Sequence, residues 1–171
     1  QPQLATLAVP GLGALGGAGT LPTDIETLRS RTLAAAVANS FGLRVQVRRP
    51  RGAPRSQVLA SVSAPADAAG RYRLRPDGRG GWTVLDGESG RRLASASPGN
   101  DVRLGAATVR LAPAAARRGT IELEVLPLDQ AVDRLHGALE VRRRRGDVNV
   151  VDVRFRSTDP GLARAVPNAL A

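Results

Sequence analysis

The sequence predicts an α+β fold: a mixed or antiparallel sheet packed by helices, with a β-rich insertion in the middle of the chain. Three features carry the prediction. Apolar residues recur at helical spacing near both ends, in Ile25, Leu28, Thr32, Ala35 and Ala36 and again in Val132, Leu135 and Leu139. Alternation of apolar and polar residues marks strands in the later part, over Thr120 to Val125 and Val148 to Arg156. Between Gln57 and Pro113 only short alternating segments occur, broken by turn dipeptides. At 171 residues the chain suits one domain with a proper core and is too short for two full-sized ones.

Residues 1–20 read as a glycine-rich linker, because glycines and small apolar residues alternate there without a lasting period. The domain is placed at 21–171. Thr23-Asp24-Ile25-Glu26, following Pro22, forms a capping box. The helix it opens is extended by Leu33, Val37 and Phe41, and Gly42 is placed to end it in the left-handed conformation. Leu43 to Val47 is the first strand. The insertion, at about 57–118, offers Val58 to Ser63, Arg71 to Arg75, Gly81 to Leu85, Arg92 to Ser95, Asp101 to Leu104 and Ala107 to Leu111. Asp77-Gly78, Asp86-Gly87 and Gly99-Asn100 supply turns, since Gly tolerates positive φ and Asp or Asn caps a turn locally.

Beyond the insertion, Ile121, Leu123 and Val125 alternate with Glu122 and Glu124. Asp129 is placed to cap a helix burying Val132, Leu135 and Leu139. Val151, Val153 and Phe155 share one face of the next strand. Thr158-Asp159-Pro160 starts the last helix, where proline has no amide bond to lose. Pro167 falls inside that helix, removes the amide bond to Ala163, and is expected to kink or end it.

The net charge is +10, and all 25 basic residues are arginine. A pI near 11.7 raises nucleic acid or an anionic membrane surface as partners. Yet most arginines alternate with apolar residues, as in Arg71-Tyr72-Arg73-Leu74-Arg75, which places them on the solvated face of a sheet. One Trp, one Tyr and two Phe leave little for stacking bases, so nucleic acid falls behind. The chain has no cysteine, hence no disulfide and no thiolate site. No window approaches the ~20 consecutive apolar residues that span a bilayer. Starting at Gln1 and lacking methionine, the sequence reads as a segment of a longer polypeptide whose anchor lies outside it.

Most candidate chemistry fails on context. Gly11-Leu12-Gly13-Ala14-Leu15-Gly16 spells a dinucleotide fingerprint without the strand before it or the helix opening at its third glycine. His136 lies beside Asp133 and Glu140, but no second histidine exists to complete the usual metal sets. No nucleophile elbow or phosphate-binding loop occurs. Glu122 and Glu124 are about 7 Å apart, as any i, i+2 strand pair is. The reading assigns no catalytic residue, no cofactor and no metal ligand. Arg142-Arg143-Arg144-Arg145 is the strongest charge cluster. It is read as joining a helix end to a strand, with contact to a polyanion, acidic lipid or polysaccharide, as the sharper alternative.

Two segments carry a family likeness. Thr23-Asp24-Ile25-Glu26-Thr27-Leu28-Arg29-Ser30-Arg31-Thr32-Leu33 resembles the helix that opens the periplasmic domain of the Wzz/Wzc/GumC-type polysaccharide chain-length determinants, the polysaccharide co-polymerases. Val150 to Ala163 resembles that family's closing strand and helix, an apolar strand followed by Ser157, Asp159, Pro160 and Ala163 at the family's spacing, and Asn168-Ala169-Leu170-Ala171 is similar to its last piece. Leu28, Ser30, Arg31, Ser157, Asp159, Pro160, Ala163 and Asn168 are thereby marked as structural motif positions.

The resemblance implies a non-catalytic domain on the periplasmic face of the bacterial inner membrane, anchored by flanking helices outside this sequence. It implies a homo-oligomeric parent that works beside a polysaccharide polymerase or export machinery and regulates the length of lipopolysaccharide, capsule or exopolysaccharide. Some such parents also carry a cytoplasmic tyrosine kinase domain. The alternative reading is a periplasmic carbohydrate-binding module touching glycan through Trp82 and Tyr72, although Trp82 suits core or hairpin packing better in a fold so poor in aromatics.

Overall fold

A computed structural model of the chain describes residues 30–143 and 151–170. The linker at 1–20, the capping box at 23–26, Leu28, Arg144 and Arg145 lie outside the described residues. The fold is α+β, with helices and antiparallel sheets. Its elements are α1 (Arg31–Ser40), β1 (Val45–Arg49), β2 (Leu59–Ser63), β3 (Gly70–Pro76), β4 (Trp82–Asp86), β5 (Arg92–Ala96), β6 (Asp101–Leu104), β7 (Ala107–Leu111), β8 (Ile121–Val125), α2 (Leu128–Ala138), β9 (Leu139–Arg143), β10 (Val151–Phe155) and α3 (Pro160–Leu170). Short 3-10 turns at Arg55–Gln57 and Pro113–Arg118 precede β2 and β8.

Five strands form one sheet in the order β1-β8-β3-β4-β5, three form a second in the order β2-β7-β6, and β9 pairs with β10. Each of these pairings is antiparallel. The strands of the β-rich middle are therefore not set apart from the frame. β3 pairs with β8, Tyr72 opposite Leu123 and Leu74 opposite Ile121, so the middle completes a sheet that β1 and β8 begin.

Alternation decides what each face carries. Inward residues Leu74, Val84, Val102, Leu104, Val109, Ile121 and Leu123 form a core between the two larger sheets. The opposite face of β8 presents Glu122 and Glu124, each between arginines of both neighbouring strands. Glu124 pairs with Arg48 and Arg71, and Glu122 with Arg49 and Arg73. Two carboxylates thus space four guanidiniums on one surface. A second core joins the helices, with Ala34 and Val37 of α1, Val132 and Leu135 of α2, and Val166 and Leu170 of α3 packed with Val153 and Phe155.

Several expectations need correcting. The first strand begins at Val45 rather than Leu43, because the turn after α1 consumes two more residues. Gly42 takes φ +57°, the Leu43 amide donates to the Ala38 carbonyl at 2.8 Å, and the Val45 amide donates to Gly42. Asp129 does not cap α2. Pro127 stands at the cap without a side-chain bond, and Asp129 is the second residue of the helix, in its first turn, where its charge still favours the helix N-terminus. Leu139 is not a helical position: α2 stops at Ala138, and Leu139 turns extended at φ −91°, ψ 126° to open β9. Pro167 does not end α3, which runs on to Leu170. Val166 and Leu170, on either side of the proline, are both buried in the helical core, and that packing outweighs the lost amide bond.

Candidate functional site

The motif positions at the two ends act as joints. The helix expected to run on from Thr23 is broken at Ser30, whose ψ of 133° is not helical; Ser30 precedes α1 and accepts the Ala34 amide on its carbonyl, with no side-chain cap. Arg31 is exposed and reaches across to α2, 2.9 Å from Asp133 and 3.5 Å from Asp129. At the other end, Ser157 Oγ accepts the Asp159 amide at 3.1 Å, and Pro160 is the first residue of α3. Ala163 donates its amide to the Asp159 carbonyl, and Asn168 is exposed on α3.

Asp159 is the centre of this joint. It is only 3% exposed, and both carboxylate oxygens accept main-chain amides. Oδ1 accepts from Gly161 at 2.9 Å and Leu162 at 3.4 Å, closing the open first turn of α3. Oδ2 accepts from Ser56 at 2.7 Å, which ties α3 to the turn after β1. Burial alone would raise the Asp159 pKa, but the Ser56, Gly161 and Leu162 amides outweigh it and hold the carboxyl below its ordinary value.

Sequence reasoning missed the other buried ion. Arg44 is 1% exposed, and its guanidinium donates to five main-chain carbonyls. Nε reaches Leu126 at 3.1 Å, and the terminal nitrogens reach Ala64 at 2.5 Å, Pro65, Ala66 at 3.1 Å and Ala68 at 2.8 Å. Burial lowers its pKa, with Asp67 opposing. Arginine can cap so many carbonyls because its planar fork offers five N–H donors. Among 25 basic residues, the one signal is position: Arg44 interrupts the run Leu43-Arg44-Val45 just after a helix stop.

A cleft of about 370 Å³ opens beside the Asp159 joint, between β1, α2 and the β10–α3 connection. Leu43, Val45, Leu135, Phe155 and Leu162 give it apolar walls, and Arg55, Arg134, Arg156, Ser157, Thr158 and Asp159 give it a polar side. Arg55 is held in place by carbonyls: Nε donates to Val45 at 3.2 Å and Nη2 to Gly42 at 2.7 Å. Burial lowers its pKa against the opposing pull of Asp159. Arg134 Nη1 donates to Gln46 Oε1 at 2.6 Å.

The other sequence candidates do not gather here. Arg142 lies in β9, opposite Asp152, and pairs with Glu140 at 2.5 Å; Arg143 is the last residue of that strand. The basic run therefore does not follow a helix end as expected, because a strand intervenes. Trp82 and Tyr72 are buried in the β core at 5% and 7% exposure, the packing role expected of Trp82. His136 is half-buried in α2, and its Nε2 has no hydrogen-bond partner. Among the described residues no three His, Cys, Asp or Glu side chains are grouped to hold a metal ion, and no helix is long and apolar enough to cross a membrane. No protein-family model and no curated protein sequence matches the chain.

Proposed function

We propose that this chain is a non-catalytic extracytoplasmic domain of an inner-membrane protein that regulates chain length or export in lipopolysaccharide, capsule or exopolysaccharide biosynthesis. The observation that carries the reading is the meeting of the two motif segments. The opening segment, with Ser30 before α1 and Arg31 at its start, and the closing strand and helix, with Ser157, Asp159, Pro160 and Ala163, stand at opposite ends of the sequence. They share one apolar core through Ala34, Val37, Val153, Val166 and Leu170. Both buried ions, Arg44 and Asp159, bond main-chain atoms, a use that suits a scaffold.

In this reading the domain forms homo-oligomers in its parent and presents a surface beside the polymerase or export machinery, where catalysis resides. Glycan stacking on Trp82 or Tyr72 receives no support, because both rings are buried. Sequencing the full reading frame and mapping topology with reporter fusions tests the proposal. The expected result is an apolar span on each side of this domain with the domain itself outside the cytoplasm. A frame soluble on both flanks would overturn it.

A further inference from the structure

The cleft beside Asp159 has a charge balance that the joint itself does not use. We infer that it binds a small amphiphilic anion: an apolar body carrying one carboxylate or phosphate group. The inference rests on the cleft alone and is independent of the chain-length reading.

Size comes first. At about 370 Å³ the cleft falls within the ~300–1,000 Å³ of small-molecule sites. Its walls come from four separate elements, Val45 from β1, Leu135 from α2, Phe155 from β10 and Leu162 from α3. These side chains offer an apolar body an apolar surface from which to displace water.

Charge selects the class of ligand. Arg55, Arg134 and Arg156 line the cleft, and Asp159 is its one carboxylate. Both oxygens of that carboxylate are already engaged by the Ser56, Gly161 and Leu162 amides. Arg55 spends Nε and Nη2 on carbonyls and keeps Nη1 out of both bonds. Arg134 bonds a neutral amide oxygen, that of Gln46, and none of the described ion pairs involves Arg156. Three guanidiniums, those of Arg134 and Arg156 exposed, outnumber the one carboxylate of the cleft, and such a positive concavity concentrates anions and discriminates against cations. The planar fork of arginine matches carboxylate and phosphate oxygens in particular. An inorganic anion would leave the apolar walls wet, and a neutral apolar molecule would bring no charge to Arg156, which joins none of the described ion pairs; an amphiphilic anion satisfies both sides.

The test is a titration of the ¹⁵N-labelled 171-residue chain with 1-naphthyl phosphate, 1-naphthoate, 1-naphthol and inorganic phosphate, followed by amide shifts. Both naphthyl anions are expected to move amides of residues 43–47, 131–138 and 155–162. 1-Naphthol and inorganic phosphate should each bind at least about ten-fold more weakly. The double variant Arg134→Gln/Arg156→Gln changes two side chains on the cleft and should weaken naphthyl phosphate by about ten-fold or more with the remaining spectrum unchanged. Arg103→Gln, which removes one exposed charge on β6, should leave affinity as it was. Equal binding of naphthol and naphthyl phosphate overturns the inference. So do shifts confined to other residues, or a double variant no weaker than Arg103→Gln.

Discussion

At the scale of single residues, the fold leans on two buried ions that solve the same problem from opposite sides. Arg44 collects carbonyls that the loop 64–68 and the end of β8 would otherwise bury without donors. Arg44→Met keeps much of the side-chain bulk but orphans those acceptors, and it should destabilise the domain by on the order of 3 kcal/mol in urea titration. Asp159 collects amides instead, and its depressed pKa makes it a source of acid sensitivity. Its contribution is fully present above the unfolded carboxylate pKa, about 4, and is lost as pH falls through the lower folded value. Asp159→Asn should cost about 1–2 kcal/mol at neutral pH. It should also flatten the fall of thermal midpoint below about pH 4 relative to the unchanged chain, which calorimetry across that window reads directly. Neither ion was fully legible beforehand. The cap role of Asp159 follows from standing before Pro160 at a helix start, but its reach to Ser56 depends on tertiary contact. Arg44 looked like one more surface arginine in a chain with 25 basic residues.

At the scale of elements, legibility followed the turn chemistry. The strands of the middle segment were found within a residue or two because glycine, Asp or Asn turns and Pro113 punctuate the segment: β6 and β7 match their expected ranges end to end. β9 was missed because Leu139 continues the helical spacing of Val132 and Leu135, and the arginines beyond it resemble a helix C-terminus. The alternation Leu139-Glu140-Val141-Arg142 was the weaker signal, and pairing with β10 decides it, Val141 opposite Val153 and Leu139 opposite Phe155. Pro167 misled for the converse reason: local propensity forbids what Val166 and Leu170 impose by packing. That conflict has a measurable cost. Pro167→Ala restores an amide donor in mid-helix, so it should raise stability by about 1 kcal/mol or more in thermal or urea unfolding.

At the scale of the whole molecule, two cores are tied into one unit by these same joints. The turn holding Arg44 leaves α1 of the helical core and grips the loop before β3, and Asp159 binds α3 to the turn after β1. Trp82 reports only on the β core, whereas the helical signal comes mainly from α1, α2 and α3 around the other core. Unfolding followed by Trp82 fluorescence and by far-ultraviolet circular dichroism should therefore give coincident transitions, and in Arg44→Met the two should separate. The family likeness, by contrast, was carried entirely by the short motifs at the two ends, and the β-rich middle contributed nothing to it. The claim that the domain sets polysaccharide length is tested most directly in the source organism. Its surface polysaccharide would be compared by gel before and after deletion of the gene and after complementation with the full reading frame. The modal chain length should be lost on deletion and restored by the gene. An unchanged length distribution and an unchanged amount of exported polymer in the deletion strain would contradict it.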